Sequence, residues 1–228
     1  MKTKYILVSL CVSFIFVACD YNLPINKEVP APQSLEQFVD ARDGNVYKYV
    51  TIGNQVWMAE NLRYVPVNVS LSPYYDHSYN TEKYYAYSDN PSNIETYGVL
   101  YNAVAAKKAS PTGWRLPTDE DFRELQEYVK SAYSSHTNAW IPALLDPTSW
   151  NADCMSSEYL NRSGFHAVGS GYFEYHGKYF YLNYRAYYYY FEYSLLKVIA
   201  FDPDDVYSTF SHVSNDVEDA YAIRCIKE

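Results

Sequence analysis

The chain has 228 residues, 48% of them hydrophobic, and a formal charge of −9. That length carries one domain with a tail, and the apolar content excludes wholesale disorder. An acidic surface repels phosphate backbones and anionic headgroups, which speaks against nucleic acid as a partner.

Lys2 and Lys4 open the chain, and residues 5–18 form a nearly unbroken apolar run. The run is too short to span a hydrocarbon core of ~30 Å, so residues 1–18 read as a cleaved export signal. No Asp or Glu lies there, and its removal takes the charge from −9 to −11. Phe16-Val17-Ala18-Cys19 resembles a bacterial lipobox, with Phe16 where Leu is usual. Cys19 is then the lipidation site, its sulfur forming a thioether to diacylglycerol. Each buried CH₂ adds about 0.8 kcal/mol, and two or three acyl chains hold where one would not. The membrane is thus the first expected partner, and the expected location is the cell envelope, as an outer-membrane lipoprotein. The alternative is an ordinary secretory signal that leaves Cys19 unmodified. Residues 19–40 read as the lipidated Cys and a tether, because Pro24, Pro30 and Pro32 fix φ and remove amide donors. The folded domain is expected over 41–228.

Asp43-Gly44-Asn45 marks a turn, and Val46 to Ile52 is a β-branched and aromatic strand. Gly53-Asn54 is a two-residue hairpin signal, with Gln55 to Met58 returning. Residues 64–97 show no period and read as a long surface excursion. A helix is expected over Tyr97 to Lys108, with Leu100, Ala103 and Val104 on one face. Thr118 is an N-cap with Asp121 in the capping-box position, and Phe122, Leu125 and Val129 recur at helical spacing. This second helix should end near Lys130. From Gly164 onward the chain reads as β, with turns at Gly169-Ser170-Gly171 and His176-Gly177-Lys178, and a closing strand over Ala220 to Ile226. The fold class is α+β: an N-terminal hairpin, two central helices and a Tyr-rich antiparallel C-terminal region.

Five segments in this order resemble the Fibrobacter succinogenes major paralogous domain family. They are DGNVYKYVTIGNQVWMAENLRY (43–64), YGVLYNAVAA (97–106), PTGWRLPTDEDFREL (111–125), SGFHAVGSGY (163–172) and YAIRCIKE (221–228). The resemblance implies an exported, often lipid-anchored, single C-type-lectin-like domain with no established activity. A Cys is common in relatives just before the Pro of the third segment; here Ser110 stands there.

After export and acylation, Cys154 and Cys225 remain, an even pair in an oxidising compartment. They read as a disulfide closing about 70 residues, for up to about 4 kcal/mol by the chain-entropy model, or as two separately buried thiols. His77, His136, His166, His176 and His212 lack zinc spacing and read as surface or strand residues, so no metal site is assigned. Asp202, Asp204 and Asp205 offer oxygen ligands for calcium, but one short acidic loop supplies too few, and Pro203 favours a solvated turn. With no phosphate loop, nucleophile elbow or C-x-x-C, neither a cofactor nor an enzyme activity is expected.

Tyrosine is the outlier, at 28 residues, ten of them between Tyr172 and Tyr193. Its apolar ring and polar tip suit half-buried strands and wet binding surfaces. Strand alternation sets Tyr179, Tyr181, Tyr187 and Tyr189 opposite Phe180, Tyr188 and Tyr190, and the first four form the expected ligand face. The plainer reading is that these rings and those of 64–97 fill each other's gaps. Function is therefore expected to be a non-catalytic recognition module for glycan or protein. A structural or assembly role at the cell surface is the alternative, and an extracytoplasmic hydrolase ranks third. Oligomeric state is open.

Overall fold

The computed structural model describes residues 34–73, 78–133, 140–151, 160–203, 211–213 and 218–228. The expected signal, Cys19 and most of the tether lie outside the described residues, as do Cys154, Asp204 and Asp205.

β1 (Glu36–Val39) pairs antiparallel with β2 (Val46–Ile52), which turns into β3 (Gln55–Met58). Ile52 faces Gln55 across the two-residue loop, and Gly53 at φ 62° takes the left-handed position that strand twist requires. The hairpin stands as expected. Residues 36–39, expected to belong to a tether, are packed instead: Phe38 stacks on Trp114 at 4.5 Å and on Tyr47 at 5.5 Å. Those contacts draw residues 36–39 into the first sheet.

The stretch 64–97 is not wholly a surface excursion. β4 (Tyr84–Tyr85) is buried, with Tyr85 stacked on Phe173 at 4.0 Å, and a short turn α1 (Ile94–Tyr97) follows. The helix expected over Tyr97–Lys108 is instead β5 (Leu100–Asn102) and a single turn α2 (Ala103–Ala106). Gly98, at φ 80°, interrupts the helical path. Leu100 and Tyr101 then pair with β4, and the Asn102 side chain caps α2 by accepting from the Ala105 amide at 3.1 Å.

β6 (Trp114–Arg115) leads to α3 (Asp119–Tyr133), the one long helix among the described residues. Its capping box is reciprocal: Thr118 N donates to Asp121 Oδ2 at 2.6 Å, and Asp121 N donates to Thr118 Oγ1 at 3.2 Å. Phe122, Leu125 and Val129 are buried. The helix passes Lys130 because Tyr133 is buried as well.

The C-terminal part is β, as expected: β7 (Ser170–Glu174), β8 (Lys178–Leu182), β9 (Ala186–Glu192), β10 (Leu195–Phe201) and β11 (Ser211–Val213). The closing strand is split into β12 (Ala220–Tyr221) and β13 (Ile226–Lys227). β12 lies in the second sheet, ordered β11-β10-β9-β7-β12-β5-β4, and β13 in the first, ordered β1-β2-β3-β13-β6. Pairing between these strands is antiparallel except where β7 meets β9 at Gly171–Ala186.

β9 divides two hydrophobic cores. Tyr188 and Tyr190 pack with Trp57, Phe122, Phe165 and Phe201. Tyr187 and Tyr189 pack with Tyr47, Tyr101, Trp114 and Tyr221. Each large side chain so buried contributes roughly 1.5–3 kcal/mol. The phenol tips find acceptors: Tyr189 donates to Asp219 O, and Tyr221 to Asp219 Oδ2, both at 3.1 Å.

Candidate functional site

The four tyrosines expected to share a ligand face do not share one. Alternation holds along β9, yet Tyr187 and Tyr189 are 3% and 0% exposed. A central strand with a core on each side leaves neither set for solvent, so both are packing residues and not ligand contacts. Tyr179 turns to the helix-side core, its ring 5.0 Å from both Phe173 and Tyr87, and its hydroxyl donates to Asp89 Oδ1 at 2.6 Å. Tyr181 alone of the four is exposed, at 44%.

The cause is a local break in the β7–β8 ladder. The register passes from Ser170–Leu182 to Tyr172–Phe180 and skips the Gly171–Tyr181 pair. Gly171 has φ 57° and Tyr181 φ 60°. A Cβ at Gly171 would lie 2.1 Å from Phe180 O, so only glycine fits. The left-handed residue rotates Tyr181 out of alternation and onto the side of its neighbour Phe180. Its ring lies 6.2 Å from both Tyr172 and Phe180, and Tyr172 stacks on Phe180 at 5.6 Å and on buried Tyr221 at 5.3 Å. Arg185 sits over the Tyr181 ring at 4.6 Å and is held by Asp202, with Nε–Oδ2 at 2.7 Å. Burial, then Tyr187 and Asp219, push the Tyr172 phenol up to about 12, so it remains a neutral donor. Tyr184, 51% exposed, lies in the turn that follows. The result is an aromatic surface rooted in the core and edged by an ion pair.

Asp202, weighed for calcium, is thus engaged with Arg185. Cys225 is a buried free thiol, its Sγ 3.5 Å from Ser110 Oγ; Cys154, its expected disulfide partner, lies outside the described residues. Burial pushes the Cys225 thiol up to about 12.

A second feature escaped the sequence reading. Arg224 is fully buried, and its acceptors are neutral: Asn61 Oδ1 at 3.0 Å from Nε, Met58 O at 3.3 Å, His166 O at 3.1 Å, and Phe165 O. One guanidinium therefore ties together three of the five motif segments. The available signal was a cation inside the apolar run Ala220 to Ile226. Above it opens a cleft of about 280 Å³ lined by Lys48, Glu60, Arg63, Glu95, Asp146 and His166, among others. Asp146 Oδ2 lies 3.4 Å from His166 Nδ1, and Asn161 contacts the other ring nitrogen.

Among the described residues these observations define an α+β domain of two mostly antiparallel sheets and one long helix, bearing an exposed aromatic turn and a polar cleft. The chain belongs to the family of the Fibrobacter succinogenes major domain, which matches residues 50–227. Searches of curated proteins and of solved structures give no match.

Proposed function

We propose that the chain is an envelope-anchored lipoprotein, held by acyl chains on Cys19. Its domain, related to the C-type lectin-like fold, would be a non-catalytic recognition module that binds glycan through Tyr172, Phe180 and Tyr181. The observation that carries the reading is the strained backbone of Tyr181. A non-glycine residue in the left-handed region costs on the order of 1 kcal/mol or more, and such strain concentrates at binding sites. Here it exposes a large ring that regular pairing would turn the other way. Aromatic rings with hydroxyl tips suit sugars, whose C–H surfaces pack on the rings while their hydroxyls bond the phenols. The Arg185–Asp202 pair orients Tyr181 and supplies further polar contacts at the rim.

Tyr181→Asn provides the test, because Asn tolerates the left-handed region better than Tyr. On an array carrying both glycans and envelope or host proteins, the wild type should bind glycans saturably and the variant at least tenfold more weakly. Its urea midpoint should be unchanged or higher. Unchanged binding with a lowered midpoint would make Tyr181 a packing residue. Binding confined to protein spots would replace glycan by a protein ligand.

A further inference from the structure

We infer that the cleft above Arg224 is a second binding site, for a small uncharged polyhydroxyl group of the size of a single pyranose ring. Its volume of about 280 Å³ lies just below the roughly 300–1,000 Å³ of drug-sized ligand pockets, which excludes a long chain lying within it. The inference draws on the charge layout of the cleft and stands apart from the aromatic turn.

Lys48, Arg63 and Arg224 bring three positive charges to the lining, and Glu60, Glu95 and Asp146 bring three negative ones. Those six charges sum to zero, so they favour an ion of neither sign. Four of the six, Arg63, Glu60, Glu95 and Asp146, are also engaged with a titratable neighbour. Arg63 lies 3.8 Å from Glu60 and 3.7 Å from Glu95, and Asp146 faces His166 at 3.4 Å. A charged ligand that displaced Glu60 from Arg63, or His166 from Asp146, would leave a largely buried partner uncompensated. A hydroxyl does not. It donates to a carboxylate lone pair and accepts from a cationic N–H at once, bringing no net charge.

Arg224 serves this site as its floor and not as a direct contact, because its N–H groups are already committed to Asn61, Met58, Phe165 and His166. His166 supports the wall. Its backbone is left-handed at φ 53°, and its amide donates to Asn161 Oδ1 at 3.0 Å. Strain of this kind persists only where surrounding contacts impose it, and here it turns an imidazole edge toward the cleft.

The test is saturation-transfer NMR on the purified full chain with glucose, mannose, galactose and N-acetylglucosamine, set against glucuronate and glucosamine as charged counterparts. At least one neutral sugar should give saturable transfer, and the charged analogues at least tenfold weaker binding. Thr96→Trp and Thr148→Trp, at exposed positions on the cleft lining, should each weaken the neutral sugar at least tenfold. The comparison is repeated in the Tyr181→Asn background, where the aromatic turn no longer contributes and saturable transfer from the cleft should persist. If one rim variant does not fold, the other carries the comparison. Absence of transfer from every neutral sugar, equal or tighter binding of a charged analogue, or wild-type binding in the folded rim variants would each overturn the site. Loss of the signal in Tyr181→Asn would assign the binding to the aromatic turn instead.

Discussion

At the scale of single residues, Arg224 and Asp146 carry the most consequence. A guanidinium offers five N–H groups in a planar fork, whereas a lysine offers three from one point. Arg224→Lys would therefore leave some of Asn61 Oδ1, Met58 O, Phe165 O and His166 O without donors. Each buried polar group left unpaired costs about 1–3 kcal/mol, so urea unfolding should show a loss of at least about 2 kcal/mol. A loss below about 0.5 kcal/mol would remove Arg224 from this role. For Asp146, burial alone would raise the carboxyl. Hydrogen bonds from His166 and from the Thr148 side chain and amide outweigh that and hold it at about 2, below its usual 3.8. The folded value lies below the unfolded one, so this carboxylate contributes stability that is complete above about pH 4 and is lost as pH falls toward 2. Between about pH 5 and pH 2.5 the urea midpoint of the wild type should fall further than that of Asp146→Asn. Parallel declines would refute the assignment. The motif segments were readable as sequence, but their roles were not, because the partners of Arg224 lie 36 to 166 positions away.

At the scale of elements, what is fixed by neighbours along the chain was legible. The Gly53-Asn54 hairpin and the Thr118–Asp121 box satisfy their backbone groups within a few residues, and both formed as read. β5 and α2 were misread because Leu100, Ala103 and Val104 fit a helical stripe, while the contacts that extend Leu100 and Tyr101 come from distant β4 and β12. The β9–β10 turn is a further case. Leu195 faces Glu192 across Tyr193-Ser194, and both turn residues are left-handed, at φ 46° and 68°. Such a turn ordinarily uses Asn-Gly. Replacing the pair, as Tyr193→Asn with Ser194→Gly, should stabilise the domain by about 0.5–1 kcal/mol, read as a rise in Tm. Tyr193 is 95% exposed, so little packing is lost; a fall in Tm would show that the ring holds a contact worth more than the strain.

At the scale of the whole molecule, the proposed acyl anchor and the domain make separate predictions. Cys19→Ser should remove incorporation of a palmitate analogue and release the protein from the membrane fraction, while its thermal unfolding stays the same. If the wild type takes up no label, residues 1–18 are an ordinary secretory signal. The domain depends on its C-terminus for both sheets, with β12 set between β7 and β5 and β13 between β3 and β6. The expectation of one closing strand missed this, since Ile223, Arg224 and Cys225 are buried and carry the chain from one sheet to the other.

The amino-acid order by itself determined the α+β class, the first hairpin and the capped helix, which rest on local backbone chemistry and short-range periodicity, and the family, which rests on the resemblance of five motif segments. It also determined that tyrosine would dominate the C-terminal strands. Which tyrosines meet solvent was decided only by the tertiary structure. Alternation tells which rings share a face of β9, but not that a second core closes over that face. Nor does it register the paired left-handed residues Gly171 and Tyr181, whose conformation depends on the fit of two strands against each other.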